Sequence, residues 1–135
     1  MTAREFLEQY RTAYNKATRL KDKLDQLREE YDSVGGSVIL ARNGSDISKP
    51  TERKAERVQE TLDKWANAQL DAVAVRQEIF DVISSLDDCK LSDIMWYRYL
   101  GLLTWKEVCD AVGLSWCSVH KMHKQGVELV DQAIN

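Results

Sequence analysis

Residues 104–124 read TWKEVCDAVGLSWCSVHKMHK, and the organisation of the chain is most legible here. Thr104 followed three positions later by Glu107 is a capping box. The threonine hydroxyl can accept the N–H at Glu107, while the carboxylate reaches back to the N–H of Thr104. That opens a short helix through Val112. Gly113 stands where a tight turn between helices needs a positive φ. Ser115 can cap a further helix that runs from Trp116 onward. Val108 and Val112 face inward from the first of these helices, Leu114 fills the turn, and Val119 and Met122 face inward from the second. Cys109 falls where two crossing helices leave room for a small side chain only. A small residue, a glycine four positions later and apolar residues six and nine beyond the glycine make the spacing of a helix-turn-helix. A plain helical hairpin is the alternative.

Upstream, Ile94, Met95, Tyr97 and Leu100 mark a helix from about Leu91 to Leu100, with Asp87-Asp88 available to cap it and Gly101 to stop it. The unit 87–135 is therefore expected to be trihelical, with Arg98 and Glu107 as a candidate ion pair between its helices.

The first 86 residues carry a different pattern. Phe6, Tyr10, Ala13, Ala17, Leu20, Leu24, Leu27, Tyr31 and Val34 alternate at spacings of four and three, the seam of a coiled coil. Thr2 with Glu5 starts this helix as another capping box. A helix from Thr2 to Asp32 is about 45 Å long at 1.5 Å per residue and needs a partner. The charges between the seam positions, from Arg11 to Glu30, read as a solvated face. Gly35-Gly36-Ser37 and Asn43-Gly44-Ser45-Asp46 predict a loop over 35–49, with Val38-Ile39-Leu40 folding back onto a helix. Pro50 suits the first turn of a second long helix. Val58, Leu62, Trp65, Ala72, Ile79, Ile83 and Leu86 form its apolar line, and Leu70, Val73, Phe80 and Val82 widen that face as for a helix with more than one neighbour. The expected fold is all-α: a long helical hairpin or coiled coil over 1–86, then a helix-turn-helix unit over 87–135. A homodimer through the long helices is the other way to fill the seams.

Composition narrows the function. The chain has 135 residues, 19 Lys plus Arg against 22 Asp plus Glu, a net charge of −3 and an isoelectric point near 5.4. That excludes a uniformly basic nucleic-acid coat and leaves room for a local basic face. No apolar run approaches the roughly 18 residues of a membrane span, and the amino terminus lacks the pattern of a signal peptide. Cys89, Cys109 and Cys117 include no CxxC pair, so a disulfide framework is not expected and a cytoplasmic location is. No Gly-rich phosphate loop, His-Glu metal motif or nucleophile elbow occurs, so a non-enzyme is expected, with no cofactor. Cys117, His120 and His123 include suitable zinc ligands, but steps of three drift off one helix face and no fourth ligand is evident, so no metal is expected.

The stretch LSDIMWYRYLGLLTWKEVCDAVGLSWCSVHKMHKQGVELV, residues 91–130, resembles the carboxy-terminal part of the ArpU/RinA-like phage and prophage proteins, which look like region four of bacterial sigma factors. Arg98-Tyr99-Leu100, Thr104-Trp105 and Val119-His120-Lys121-Met122-His123 carry the resemblance. Cys117 stands where that family commonly has a basic or polar residue, and Trp116 replaces a usual tyrosine. The resemblance implies transcriptional regulation by DNA binding inside a bacterial host cell.

With Val119 and Met122 claimed by the core, the second helix of the pair should present Ser115, Trp116, Cys117, Ser118, His120, Lys121 and Lys124 to double-stranded DNA. The serines and the helix N–H groups suit phosphate oxygens. Lys121 and Lys124 supply charge or reach guanine edges, and His120 donates or accepts in the groove. No acid lies between Trp116 and Gln125. Two other readings compete. The same unit could dock on RNA polymerase or another host protein without DNA, which the acidic balance favours. A phage DNA-packaging subunit also joins these elements, but more often places the DNA-binding unit first. The seam yields a direct test: changing Leu20 and Leu24 together to Asp buries two unpaired carboxylates at several kcal/mol each. The double variant should lose its cooperative melt or its native mass in solution; retention of both contradicts the seam.

Overall fold

The computed structural model describes residues 1–40 and 48–135, with side chains at 1–30 and 52–135. Among the described residues the protein is all-α and has no strand. Helix α1 spans Ala3–Leu40, α2 Ser48–Ser84, α3 Cys89–Met95, α4 Trp105–Val112 and α5 Trp116–Ile134. A π-helical turn, Trp96–Leu100, extends α3.

Local chemistry explains most of the boundaries. Thr2 Oγ1 accepts the N–H of Glu5 at 3.2 Å, and Asp88 accepts that of Leu91 at 3.2 Å to open α3. At α4 the capping box is closed on both sides, Glu107 N–H to Thr104 Oγ1 at 3.3 Å and Thr104 N–H to Glu107 Oε1 at 3.1 Å. Ser115 opens α5 by accepting the N–H of Ser118 at 3.3 Å. Gly113, at φ 69°, ends α4 in the left-handed conformation and donates to the Cys109 carbonyl at 2.9 Å. Caps of this kind are worth about 1 kcal/mol each.

Two expected breaks differ. α1 does not stop at Gly35 but continues to Leu40. Glycine weakens a helix by about 1 kcal/mol relative to alanine, yet it neither blocks helical dihedrals nor removes a donor, so it does not end one by itself. The remainder of the expected loop, 41–47, lies outside the described residues, as do the side chains of Tyr31, Val34 and 38–40. α2 begins at Ser48, which puts Pro50 in its first turn. Gly101 does end the third helix, but at φ −77°. Its role is space, since a Cβ there would stand 2.8 Å from the Tyr97 carbonyl oxygen. The left-handed residue is Leu102 at φ 56°, a conformation that costs about 1–2 kcal/mol for a residue with a Cβ.

The chain divides into two compact units, Met1–Ala13 with Asp71–Asn135, and Tyr14–Leu70. Residues 86–87 therefore separate helices and not packing units. In the first unit, one buried cluster joins Phe6 and Leu7 of α1, Ile79 and Ile83 of α2, Leu91 and Met95 of α3, and Val130 of α5. A second holds Ile94, Val108 and Val119, with Leu114 and Cys109 packed on it. Met122 touches both clusters. In the other unit Ala17, Leu24, Thr61 and Ala68 are buried, and the Lys21 ammonium lies 5.1 Å from the Trp65 ring centre while paired with Asp25 at 3.1 Å. Every described position of the α1 seam is at least half-buried within the single chain. On α2, by contrast, Leu70, Val73 and Phe80 are exposed and do not widen the buried face set by Ala68, Ala72, Ile79 and Ile83, whereas Val82 is half-buried and packs on the core.

α5 meets α3 at Gly126, where an added Cβ would stand 2.7 Å from Met95 Sδ and 3.0 Å from Leu91 Cδ2. Met95 is fully buried and has no open direction in which to move. Gly126→Ala should therefore destabilise by about 1–3 kcal/mol in chemical denaturation, overpacking outweighing the gain in helix propensity. A stabilised variant would contradict the close crossing.

Candidate nucleic-acid interface

The face begins with the rotation of α5. Val119, His123, Gly126 and Val130 are its buried positions, at helical steps of four, three and four. The remaining arc carries the residues expected from the sequence. Ser115, Trp116, Cys117, Ser118, Lys121 and Lys124 are exposed, and His120 is half-buried. All seven belong to one helix and its cap. Neither Lys121 nor Lys124 forms an ion pair among the described residues.

The first turn is already partly committed. The Ser115 hydroxyl donates to Ser118 Oγ at 3.0 Å while its oxygen caps the helix. His120 Nδ1 lies 3.1 Å from the Trp116 carbonyl oxygen. A carbonyl only accepts, so this nitrogen carries the proton, and in the neutral ring Nε2 is left as an acceptor.

Around His120 is an aromatic column that residue-by-residue reading missed. Trp116 stacks on the imidazole with ring centres 4.2 Å apart and planes at 22°. Trp105, the first residue of α4, lies 4.6 Å from the same imidazole. The Arg98 guanidinium sits 4.6 Å from the Trp105 ring, within the reach of a cation–π contact. Arg98 Nη1 donates to the Leu103 carbonyl at 2.9 Å. The expected ion pair of Arg98 with Glu107 is therefore absent: the capping box occupies the carboxylate, and the guanidinium is held by Trp105 and Leu103. The hydrogen bond to Thr104 also holds the Glu107 carboxyl below its ordinary value. The spacing of four between Trp116 and His120 was the available signal, since such residues are neighbours on a helix.

His123, the other histidine, turns inward. It is buried, and the Tyr99 hydroxyl lies 2.6 Å from its Nε2. Trp105 packs on it edge-on at 4.6 Å. Burial, with Arg4, His120 and Arg98 as lesser contributors, lowers its pKa to about 4, so the imidazole is neutral and accepts the tyrosine proton. Burial also raises the pKa of Tyr99, which stays protonated as the donor. Cys117, His120 and His123 consequently do not converge, and among the described residues no group of three metal-ligating side chains forms.

No family model, curated protein or solved structure matches the chain. Among the described residues no helix is long and apolar enough to cross a membrane.

The neutral His123 makes a pH prediction. Its folded pKa lies below the unfolded value of 6.5, so the unfolded chain takes up the proton first. The stabilisation is complete above about pH 6.5 and is lost as the pH falls to about 4. The loss should be on the order of 2 kcal/mol after discounting for solvent screening. Denaturation midpoints across that range should fall in the wild type and vary less in His123→Leu; equal slopes contradict the assignment.

Proposed function

We propose that this protein is a DNA-binding transcription regulator of the phage or prophage type, placing the amino-terminal half of α5 in the major groove of double-stranded DNA. The observation that carries the reading is the arc from Ser115 to Lys124, exposed, free of acid and fixed in rotation by Val119 and His123. In an acidic protein such a face is one where a polyanion is favoured. α4, the left-handed turn at Gly113 and α5 have the element order of a helix-turn-helix, in which the second helix lies in the groove and its first residues meet base edges. The resemblance of residues 91–130 to the sigma-region-four-like regulators supports the same reading.

In this reading Ser118 and the free N–H groups of the first turn hold a phosphate, and Lys121 and Lys124 contribute charge. Two lysines neutralise few phosphates, so one copy binds weakly and a second copy enlarges the footprint. The exposed Val73 and Phe80 of α2 offer apolar surface for such a homodimer. RNA polymerase is the partner expected of a regulator at a promoter. The exposed Trp116 favours a second reading, docking of α5 on a protein, because exposed tryptophans often anchor protein interfaces.

A salt titration on the full chain separates the two. Lys121→Ala with Lys124→Ala should change stability by no more than about 0.5 kcal/mol. The same pair should weaken DNA binding and reduce the slope of log K against log salt by about one per lost phosphate contact. Cys117→Arg should strengthen binding. If the wild type shows no salt-dependent DNA binding at low ionic strength, the docking reading replaces this one.

A further inference from the structure

We infer that Trp116 is a specificity-determining residue that reads the 5-methyl group of thymine in duplex DNA, an inference that rests on the DNA-binding reading above. Trp116 is the first residue of α5 and is 54% exposed, the most exposed tryptophan of the four. An exposed large apolar ring on the same helix as the exposed Lys121 and Lys124 matches a ligand that is both anionic and locally apolar. Duplex DNA has that combination where phosphates flank a thymine, whose methyl is the apolar group presented on a base edge in the major groove.

The geometry selects this contact over the other uses of an exposed indole. His120 covers one face at 4.2 Å, so the ring cannot insert between two bases with both faces stacked. What remains open is the opposite face and an edge, suited to a side-on apolar contact. The Ser115 hydroxyl of the same turn is engaged, donating to Ser118 while its oxygen caps the helix.

The ring is also held before DNA arrives. His120 is fixed to the Trp116 backbone carbonyl at 3.1 Å and backed by Trp105 at 4.6 Å, which Arg98 covers in turn. A contact made by a rigid, pre-positioned ring loses little side-chain entropy on binding. His120 is thus a positioning residue for Trp116.

The test uses the full chain and a duplex recovered by selection from a randomised pool at low salt. Each thymine is replaced in turn by deoxyuridine, which removes only the methyl. At one position or more the wild type should lose about fourfold in affinity, the value of one buried methyl. Trp116→Ala should bind the original duplex more weakly and be indifferent to that replacement, while Trp116→Phe should keep part of the preference. Unchanged melting of Trp116→Ala excludes a folding effect. If sequence-selective binding shows no dependence on any thymine methyl, or if Trp116→Ala keeps the same dependence, the inference fails and the DNA-binding reading stands. Recovery of no preferred sequence also overturns it. Absence of all DNA binding overturns both.

Discussion

The close crossing of α5 over α3 at Gly126 is the constraint on which the proposed face depends. With Met95 Sδ 2.7 Å from the position a Cβ would take, the two helices meet almost backbone to side chain. A helix held that tightly at one point has little freedom to turn about its axis, because close-packed cores resist small displacements. The inward stripe of Val119, His123 and Val130 follows from that rotation, and so does the outward arc that carries Trp116, Lys121 and Lys124. An acidic chain thereby keeps its one acid-free stretch of α5 in solvent without a basic composition overall.

A polar and aromatic layer then joins the crossing to the surface. Tyr99 and His123 satisfy one another inside the core, and Trp105 packs on both His123 and His120. Buried polar groups are tolerated when paired and costly when not. The same indole that closes this network inside also backs the imidazole beneath Trp116. Folding of the core and order at the exposed tryptophan are consequently coupled through one residue, the first of α4.

What was legible in the sequence is what short-range chemistry decides. The one-sided cap at Thr2, the capping box at Thr104, the caps at Asp88 and Ser115, and the positive φ at Gly113 depend on neighbours within four residues. The inward valines of α4 and α5 follow from helical period alone. The features that escaped reading are those set by distant partners. Gly126 carries no signal in the sequence, because nothing near it names Met95 as its neighbour. Arg98 has a carboxylate within reach by spacing, yet the capping geometry had already taken Glu107. Leu102 adopts the left-handed conformation beside a glycine that could have done so, because Gly101 is needed for its lack of a Cβ against Tyr97. Gly35 shows the converse, where a local stop signal is too weak to end a long helix. Of the candidate face, the exposure of Ser115, Trp116, Cys117, Ser118, Lys121 and Lys124 was legible from the period, whereas the column of Trp116, His120 and Trp105 required the fold.

In the proposed reading, α5 meets DNA with its amino-terminal arc while its buried stripe stays in the core. Backbone amide and indole chemical shifts of the full chain, followed as duplex DNA is added at low salt, test that claim most directly. The largest changes should fall on residues 115–121, Lys124 and the Trp116 indole N–H, with Val130 and the seam of α1 little moved. Changes centred on α1 or α2, or no change at any ratio of DNA to protein, would contradict it.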